Sequence, residues 1–566
     1  MKRIRLSSNR TREILYTTIA GVCGCLVALG FAHGIDLLHS LIWKPLSQAG
    51  WKAIAGIGLL VLCTVGLITG WMVGKIAPEA AGSGIPQLKV SYWRDMARIR
   101  TRLIIVKFFA GILSVGGGMS LGREGPTVQL AGGVASIIGQ KLGVAGFQLR
   151  AMTACGAAAG LAAAFNTPIA SVTFVLEEVL ENLNSRLVGR ILLASFISVF
   201  VLYLLAGESP SLTLPRSLHF DWLTYLLVIP ASACATLTGA AFQRSALAWR
   251  KRIRTHTPLP AVFRPMIGAV ITWAAASVTF AWTGHIGVIG LGYDDLNTCL
   301  AGSLALSTLI ILLVGKWIAT TASYAWGGCG GIFAPTLFMG AFSGACFAAA
   351  ATLVLPLPAD AVPILAVVGM SACLGAVVRA PATSILIVFE MTHDFAIVPP
   401  LMLGALISQM LSRKLCTENF YSQVILDDGI DLSPHKSVQD FSEWKKRRIA
   451  SFATFPVRVL PSEDPSKARQ ILADTAHNVY PVSAPDGKLS GVISRDQIPE
   501  GNSPPHLWPL MEATTVSMDT TLDQVEASLV EAQLGIVVVV DSNKVPLGIF
   551  TLHDLLRCQL SLMENV

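Results

Sequence analysis

Three short stretches of this chain combine glycine, proline and an apolar run. They are Gly82-Ser83-Gly84-Ile85-Pro86, Gly122-Arg123-Glu124-Gly125-Pro126 and Gly330-Gly331-Ile332-Phe333-Ala334-Pro335. Proline near a helix start costs little, because the first amides lack intrahelical partners anyway. Glycine lets a ligand come close to the backbone. Unpaired amides and the positive end of the helix dipole make such a start an anion site. Three of them predict one desolvated small anion, held by amides without a full positive charge, so that it can also leave. Glu124 lies at one of these starts. A carboxylate there is stabilised by the same amides, so it can occupy an anion position and block it. Once protonated it loses that attraction and swings out.

The elements that must position these residues are membrane helices. The chain has 566 residues, 53% of them apolar and only 14% charged, with a mean hydropathy of +0.61. Soluble domains carry roughly 25% charged residues. The deficit excludes disorder and a wholly soluble enzyme, and it predicts a polytopic membrane protein. Fifty glycines without a G-X-Y period exclude collagen and fit close helix packing. Apolar segments run from about Ile14 to about Leu411, many broken by Gly or Pro. A spanning helix needs about 20 apolar residues, so full spans are mixed with broken or tilted ones. Backbone that breaks at membrane depth must line a cavity or be buried in protein. The first stretch, Ile14 to Ile42, is too long for a signal peptide and reads as a retained helix.

Net charge is +7 and unevenly placed. Lys2, Arg3, Arg5, Arg10 and Arg12 precede the first apolar run; Arg250, Lys251, Arg252 and Arg254 form a second patch; Arg413, Lys414 and Lys445 to Arg448 form a third. All flank apolar segments, so they read as topology signals on the cytoplasmic side rather than nucleic-acid contacts. The eleven cysteines are scattered through apolar stretches and read as small packing residues, with no metal-site spacing.

An internal repeat is visible. Gly125-Pro126-Thr127-Val128 lies 209 positions before Ala334-Pro335-Thr336-Leu337. Thr167-Pro168-Ile169-Ala170-Ser171 is echoed by Ala380-Pro381-Ala382-Thr383-Ser384, each followed by an apolar run and a glutamate, Glu177 or Glu390. Gly82-Ser83-Gly84 pairs with Gly290-Leu291-Gly292. A duplicated membrane half with breaks at matching positions points to a transport site at the repeat interface. The predicted organisation is a basic cytoplasmic N-terminus (1–12), two membrane halves (13–206 and 220–412), a linker (413–450) and a soluble α/β module (451–566). In that module two strand-turn-strand-helix units recur, around Asn478 to Ser494 and Ile536 to Thr551.

The three glycine-proline motifs, in this order, resemble those of the CLC family of chloride channels and chloride/proton exchangers over about residues 14–425. The tail resembles the CBS-domain pair that many of its members carry. The resemblance implies an all-α membrane domain of two inverted repeats of broken and tilted helices, followed by a cytoplasmic α/β CBS pair. It implies chloride held by the hydroxyls of Ser83 and Tyr421 and by the amides of Ile332 and Phe333. Tyr421, in Asn419-Phe420-Tyr421-Ser422, also reads as an interfacial anchor. Glu124 is implied as the gate, and Glu178 as the internal proton-transfer glutamate; Glu178 also reads as an ordinary carboxylate at a wet helix end. Lys107 and Arg123 are implied in supporting roles. Proline in place of Ser83 goes with nitrate preference, so Ser83 favours chloride.

CBS units end in Ser or Thr, two residues, then Asp, whose carboxylate accepts from a ribose. Thr551-Leu552-His553-Asp554 fits; Ser494-Arg495-Asp496-Gln497 has the acid one position early. Adenine nucleotide at Asp554 is therefore an expectation for the tail, and a structural tail is the alternative. No cofactor is required. The expected function is secondary active chloride/proton antiport by a lipid-embedded homodimer in the cell (inner) membrane, with both termini cytoplasmic. The alternative is a passive voltage- or pH-gated chloride channel on the same fold. No enzyme is expected: an intramembrane zinc protease needs an H-E-x-x-H pair, which does not occur among the ten histidines. A divalent-cation transporter needs intramembrane carboxylates without anion-binding helix starts.

Overall fold

A computed structural model describes residues 9–183, 185–207, 212, 214, 221–358, 360–432, 448–532 and 534–563. Lys2, Arg3, Arg5, Lys445, Lys446 and Arg447, from the first and third basic clusters, lie outside the described residues. The chain divides into two compact units, 1–436 and 437–566. The first is helical, and among the described residues nine helices are long and apolar enough to cross a membrane.

Short helices sit between the long ones, at the breaks expected from the sequence. Ile85–Trp93, Pro168–Phe174, Tyr293–Leu300 and Pro381–Thr392 are the main ones. Each half stops one helix in the same way. Asn166 and Arg379 take left-handed conformations, φ 57° and 58°, after the helices Gly146–Phe165 and Ala361–Val378. Two residues on, Pro168 and Pro381 begin a new helix.

The helix Glu124–Lys141 packs on Gly146–Phe165, and its counterpart Phe333–Ala351 packs on Ala361–Val378. Small residues allow this. A Cβ on Gly160 would lie 2.4 Å from Ala131 Cβ, and one on Gly340 would lie 2.4 Å from the carbonyl of Gly369. Close backbone approach of this kind replaces the missing hydrophobic drive between helices in lipid.

The two halves meet through residues that the repeat makes equivalent. Gly122 and Gly331, 209 positions apart, exchange both backbone hydrogen bonds, each 2.7 Å. A residue paired with its own counterpart lies on the axis that relates the halves. Around it the side chains follow suit. Ser114 Oγ accepts from the amide of Cys329, and Ser323 Oγ accepts from the amide of Ser120, both at 3.2 Å.

Among the described residues the second unit holds two three-stranded sheets. In the first, β1 (Leu460–Pro461) runs parallel to β2 (Val479–Ser483), which pairs antiparallel with β3 (Leu489–Ser494). In the second, β4 (Thr515–Ser517), β5 (Ile536–Val540) and β6 (Pro546–Thr551) repeat that order and those directions. One helix, Pro465–Asp474 or Leu522–Glu531, lies between the first two strands of each. Both sheets carry a register irregularity at the end of the middle strand, Val482/Ser483 and Val539/Val540. Val492 of β3 shares an apolar cluster with Ile536 and Val538 of β5. These are the two units read from the sequence, and they share that apolar cluster.

Candidate functional site

Ser83 lies between two left-handed glycines, Gly82 at φ 73° and Gly84 at φ 93°, just before the helix Ile85–Trp93. The loop is pinned from below by Lys107. This fully buried ammonium donates to the carbonyls of Ala80 and Gly82 at 3.0 and 2.6 Å. Gly125, of the Glu124 motif, packs directly on the loop: a Cβ there would lie 2.2 Å from Ser83 Oγ. Two of the three motifs are thus in contact, and the glycine of one makes room for the serine of the other.

Tyr421 reaches the same place from the far end of the membrane unit. It is fully buried on the helix Phe420–Asp427, so it is not an interfacial anchor. Ser83 Oγ and Tyr421 Oη are neighbours, and by geometry both are buried without a hydrogen-bond partner. A buried polar group left unpaired costs about 1–3 kcal/mol. Two such hydroxyls side by side fit a small anion that accepts from both.

Glu124 is fully buried at the start of the helix Glu124–Lys141. Its Oε2 accepts from the amide of Ala334 at 3.3 Å, in the first turn of the helix Phe333–Ala351. Its Oε1 accepts from the phenol of Tyr293 at 2.9 Å. Ile332 and Phe333 open the same helix start, and the Phe333 ring packs on Phe165 and Phe174. Arg123 pairs with Asp36 at 3.4 Å, donates to the carbonyl of Ala164, and lies over the Tyr293 ring, 5.8 Å from its centroid.

Glu178 is buried at 2% exposure in the helical turn Val175–Val179. The Lys89 ammonium lies 2.9 Å from its Oε1 and 2.7 Å from Glu181 Oε1. Asn419 Nδ2 donates to its Oε2 at 2.9 Å, while Asn419 Oδ1 accepts from the amide of Ser422. Asn419 therefore caps the helix that carries Tyr421 and holds Glu178 with the same side chain. Glu177 turns to the amides of Ala382 and Thr383.

A cavity of about 1170 Å³ opens beside Gly82 and Pro86. Arg94, Arg98, Arg100, Arg102 and Arg264 line it with Glu79 and Asp95, and Arg250 and Arg254 line it paired with Asp428, which leaves an excess of positive charge. Cationic walls of low dielectric raise the local concentration of anions.

Sequence reasoning missed three of these residues. Lys89 stands four positions after Ile85, a lysine inside a buried helix. Tyr293 follows Gly290-Leu291-Gly292, the repeat partner of the Ser83 loop. Lys316 is the counterpart of Lys107, and donates to the carbonyls of Gly287 and Gly290 at 2.9 and 2.8 Å. The repeat was the signal for the last two.

In the tail, Asp554 Oδ2 accepts from the amide and the hydroxyl of Thr551 at 3.0 and 2.7 Å. Ser494 donates to Asp496 in the equivalent place.

Comparison with known proteins identifies the family. Residues 65–413 match the voltage gated chloride channel family, and residues 509–561 match the CBS domain. The "H(+)/Cl(-) exchange transporter ClcA" of Vibrio campbellii is 33% identical over 373 residues, covering 63% of this chain and 76% of that protein. The protein of the same name from Vibrio vulnificus is 34% identical over 375 residues, with the same coverage. Among solved structures, a slow cyanobacterial Cl-/H+ antiporter has a TM-score of 0.65 at 23% identity, over 76% of this chain and 99% of its own. A eukaryotic CLC transporter has a TM-score of 0.64 at 19% identity, over 96% of this chain and 98% of its own. The fold, the paired glycine loops and these matches together make the chain a member of the voltage gated chloride channel family with a C-terminal CBS domain.

Proposed function

We propose that this chain is a secondary active chloride/proton antiporter. The observation that carries the reading is Glu124: a fully buried carboxylate held by the Ala334 amide at a helix start, a place suited to an anion. In this reading the carboxylate and chloride compete for one position. Protonation releases the side chain, which lets chloride in and carries the proton. Glu178 hands protons to Glu124 from the cytoplasmic side. Ser83 and Tyr421 hold the central chloride by their hydroxyls, Ile332 and Phe333 by their amides, and Lys107 and Arg123 support the loops.

Two things favour antiport over a passive voltage- or pH-gated channel on the same fold. The relatives at 33% and 34% identity bear the name of exchange transporters. Glu178 is a buried carboxylate with a lysine and an asparagine built around it, which a passive anion path does not need. The protein works in this reading as a homodimer in the lipid of the cell (inner) membrane, with both termini in the cytoplasm.

The test is proton movement in liposomes holding the purified protein, driven by a chloride gradient with the voltage clamped. Uphill proton movement is expected. Chloride flux with no uphill proton movement makes the protein a channel and overturns the reading. The tail is proposed to take adenine nucleotide at Asp554. ATP, ADP or AMP should then raise the unfolding temperature, and Asp554→Ala should remove the rise. No rise with any of the three sinks this part.

A further inference from the structure

Tyr293 is the first residue of the helix Tyr293–Leu300 and belongs to the second repeat, whereas Glu124 belongs to the first. Its phenol donates to Glu124 Oε1 at 2.9 Å, while the Ala334 amide takes Oε2. The ring is fixed from one side by the Arg123 guanidinium, 5.8 Å from its centroid. The backbone before it is fixed as well. Lys316 holds the carbonyls of Gly287 and Gly290, and Asp295 accepts from the amide of Gly287. Asp295 is itself paired with His285 at 2.6 Å. With its ring against Arg123 and the loop before it held by Lys316 and Asp295, the tyrosine offers Glu124 a fixed donor.

We propose that Tyr293 is a positioning residue that sets how strongly the Glu124 carboxylate competes with chloride for the start of the Phe333–Ala351 helix. This rests on the antiporter reading above. The argument is one of where the two donors point. A carboxylate has two oxygens, and the phenol and the Ala334 amide engage one each. A single spherical anion keeps several donors only where they converge on one point, so chloride on the Ala334 amide is less well placed for the phenol than Oε1 is. Hydrogen bonds to an ionised acceptor are about twice as strong as neutral ones. The phenol therefore favours the charged carboxylate over chloride and over the protonated side chain. An apolar residue at position 293 would leave the carboxylate one donor poorer and easier to displace.

Chloride titration calorimetry on the purified full-length protein tests this. Tyr293→Phe keeps the ring and its contact with Arg123 and removes only the O–H. Chloride should bind about tenfold more tightly, a change of about 1.4 kcal/mol. In a Glu124→Ala background the same substitution should change nothing, because no carboxylate remains to hold. Unchanged affinity in the wild-type background overturns the proposal. So does an equal change in both backgrounds, since that marks a general effect on the pocket. If Tyr293→Phe does not fold, Tyr293→Met also lacks the donor and takes its place. Proton pumping by the wild-type protein is measured beside it. A wild type that binds chloride without pumping defeats the antiporter reading; pumping with unchanged Tyr293→Phe affinity defeats only this inference.

Discussion

Glu177 and Glu390 perform the same task in opposite halves of the protein. Glu177 accepts from the amides of Ala382 and Thr383 at 3.1 and 2.9 Å, and Glu390 accepts from those of Ile169 and Ala170 at 2.9 and 2.7 Å. Each carboxylate caps the helix that ends in the other. Both helices begin with proline and lack a side-chain cap of their own, so their first amides need acceptors. The acceptor comes from the partner half. What the sequence displayed as two echoing glutamates is a reciprocal clamp across the repeat interface.

Removing either carboxylate should therefore cost stability. Glu177→Ala and Glu390→Ala each strand two amides at a helix start and lose the charge-assisted bonds to them, and Glu177→Ala also loses the one from Thr383 Oγ1 at 2.7 Å. A loss on the order of 2 kcal/mol is expected for each. Thermal unfolding of the detergent-solubilised protein reads it out. Two variants with wild-type unfolding temperatures would show that the caps are dispensable.

Much of the site was legible because it was built twice. Helix starts, their glycines and the gate carboxylate follow from motifs read against backbone physics, and the repeat predicted where the breaks recur. Partners far apart in the chain were not legible. Nothing local links Lys89 to Glu178, or Tyr293 to Glu124, and periodicity does not show which residues meet across an interface. Lys316 was readable in principle, since it stands 209 positions after Lys107. Each lysine lies in a helix whose ammonium gathers the carbonyls of the preceding loop. A carbonyl cluster in a dry interior needs such a donor, and the duplicated loop needs it twice.

The Lys89–Glu178 pair is fully enclosed, at 1% and 2% side-chain exposure. Breaking a buried pair costs about 3–5 kcal/mol, because the remaining charge is left uncompensated. Lys89→Met should lower the unfolding temperature strongly. Adding Glu178→Gln should recover part of that loss, since it removes the enclosed one of Lys89's two carboxylate partners; Glu181 is 28% exposed and keeps its contact with solvent. Glu178→Gln alone should keep chloride flux and lose uphill proton movement. Additive losses in the double variant would mean that the two side chains do not act as a pair.

Ser83 and Tyr421 carry neighbouring buried hydroxyls without a protein hydrogen-bond partner. Ser83→Ala should weaken chloride binding on the order of tenfold, as expected for one lost hydrogen bond to an ion. Ser83→Pro should shift preference toward nitrate. Tyr421→Phe should weaken chloride binding to a comparable degree, and the pair of changes should act on the same binding heat. Titration calorimetry with chloride and with nitrate decides the matter. Full chloride affinity in both single variants would remove these hydroxyls from the binding site.

The arginine-lined cavity beside Gly82 predicts a dependence on ionic strength that the binding site itself does not have. Arg98 and Arg102 are exposed and line it, so they act on an approaching anion through their field, without holding it. Focused fields of this kind raise on-rates by about tenfold or more at low salt. Exposed charges farther apart than about 10 Å are largely screened at 0.1 M salt. Arg98→Glu with Arg102→Glu should lower chloride uptake from that side several-fold at low ionic strength and subsaturating chloride. Raising the ionic strength with an inert salt should bring the variant and the wild type together. Binding at Ser83 and Tyr421 is buried and much less screened, so a defect there would persist at high salt. A difference that stays constant as the salt rises would place these arginines in the binding site or in the structure, and not in the approach to it.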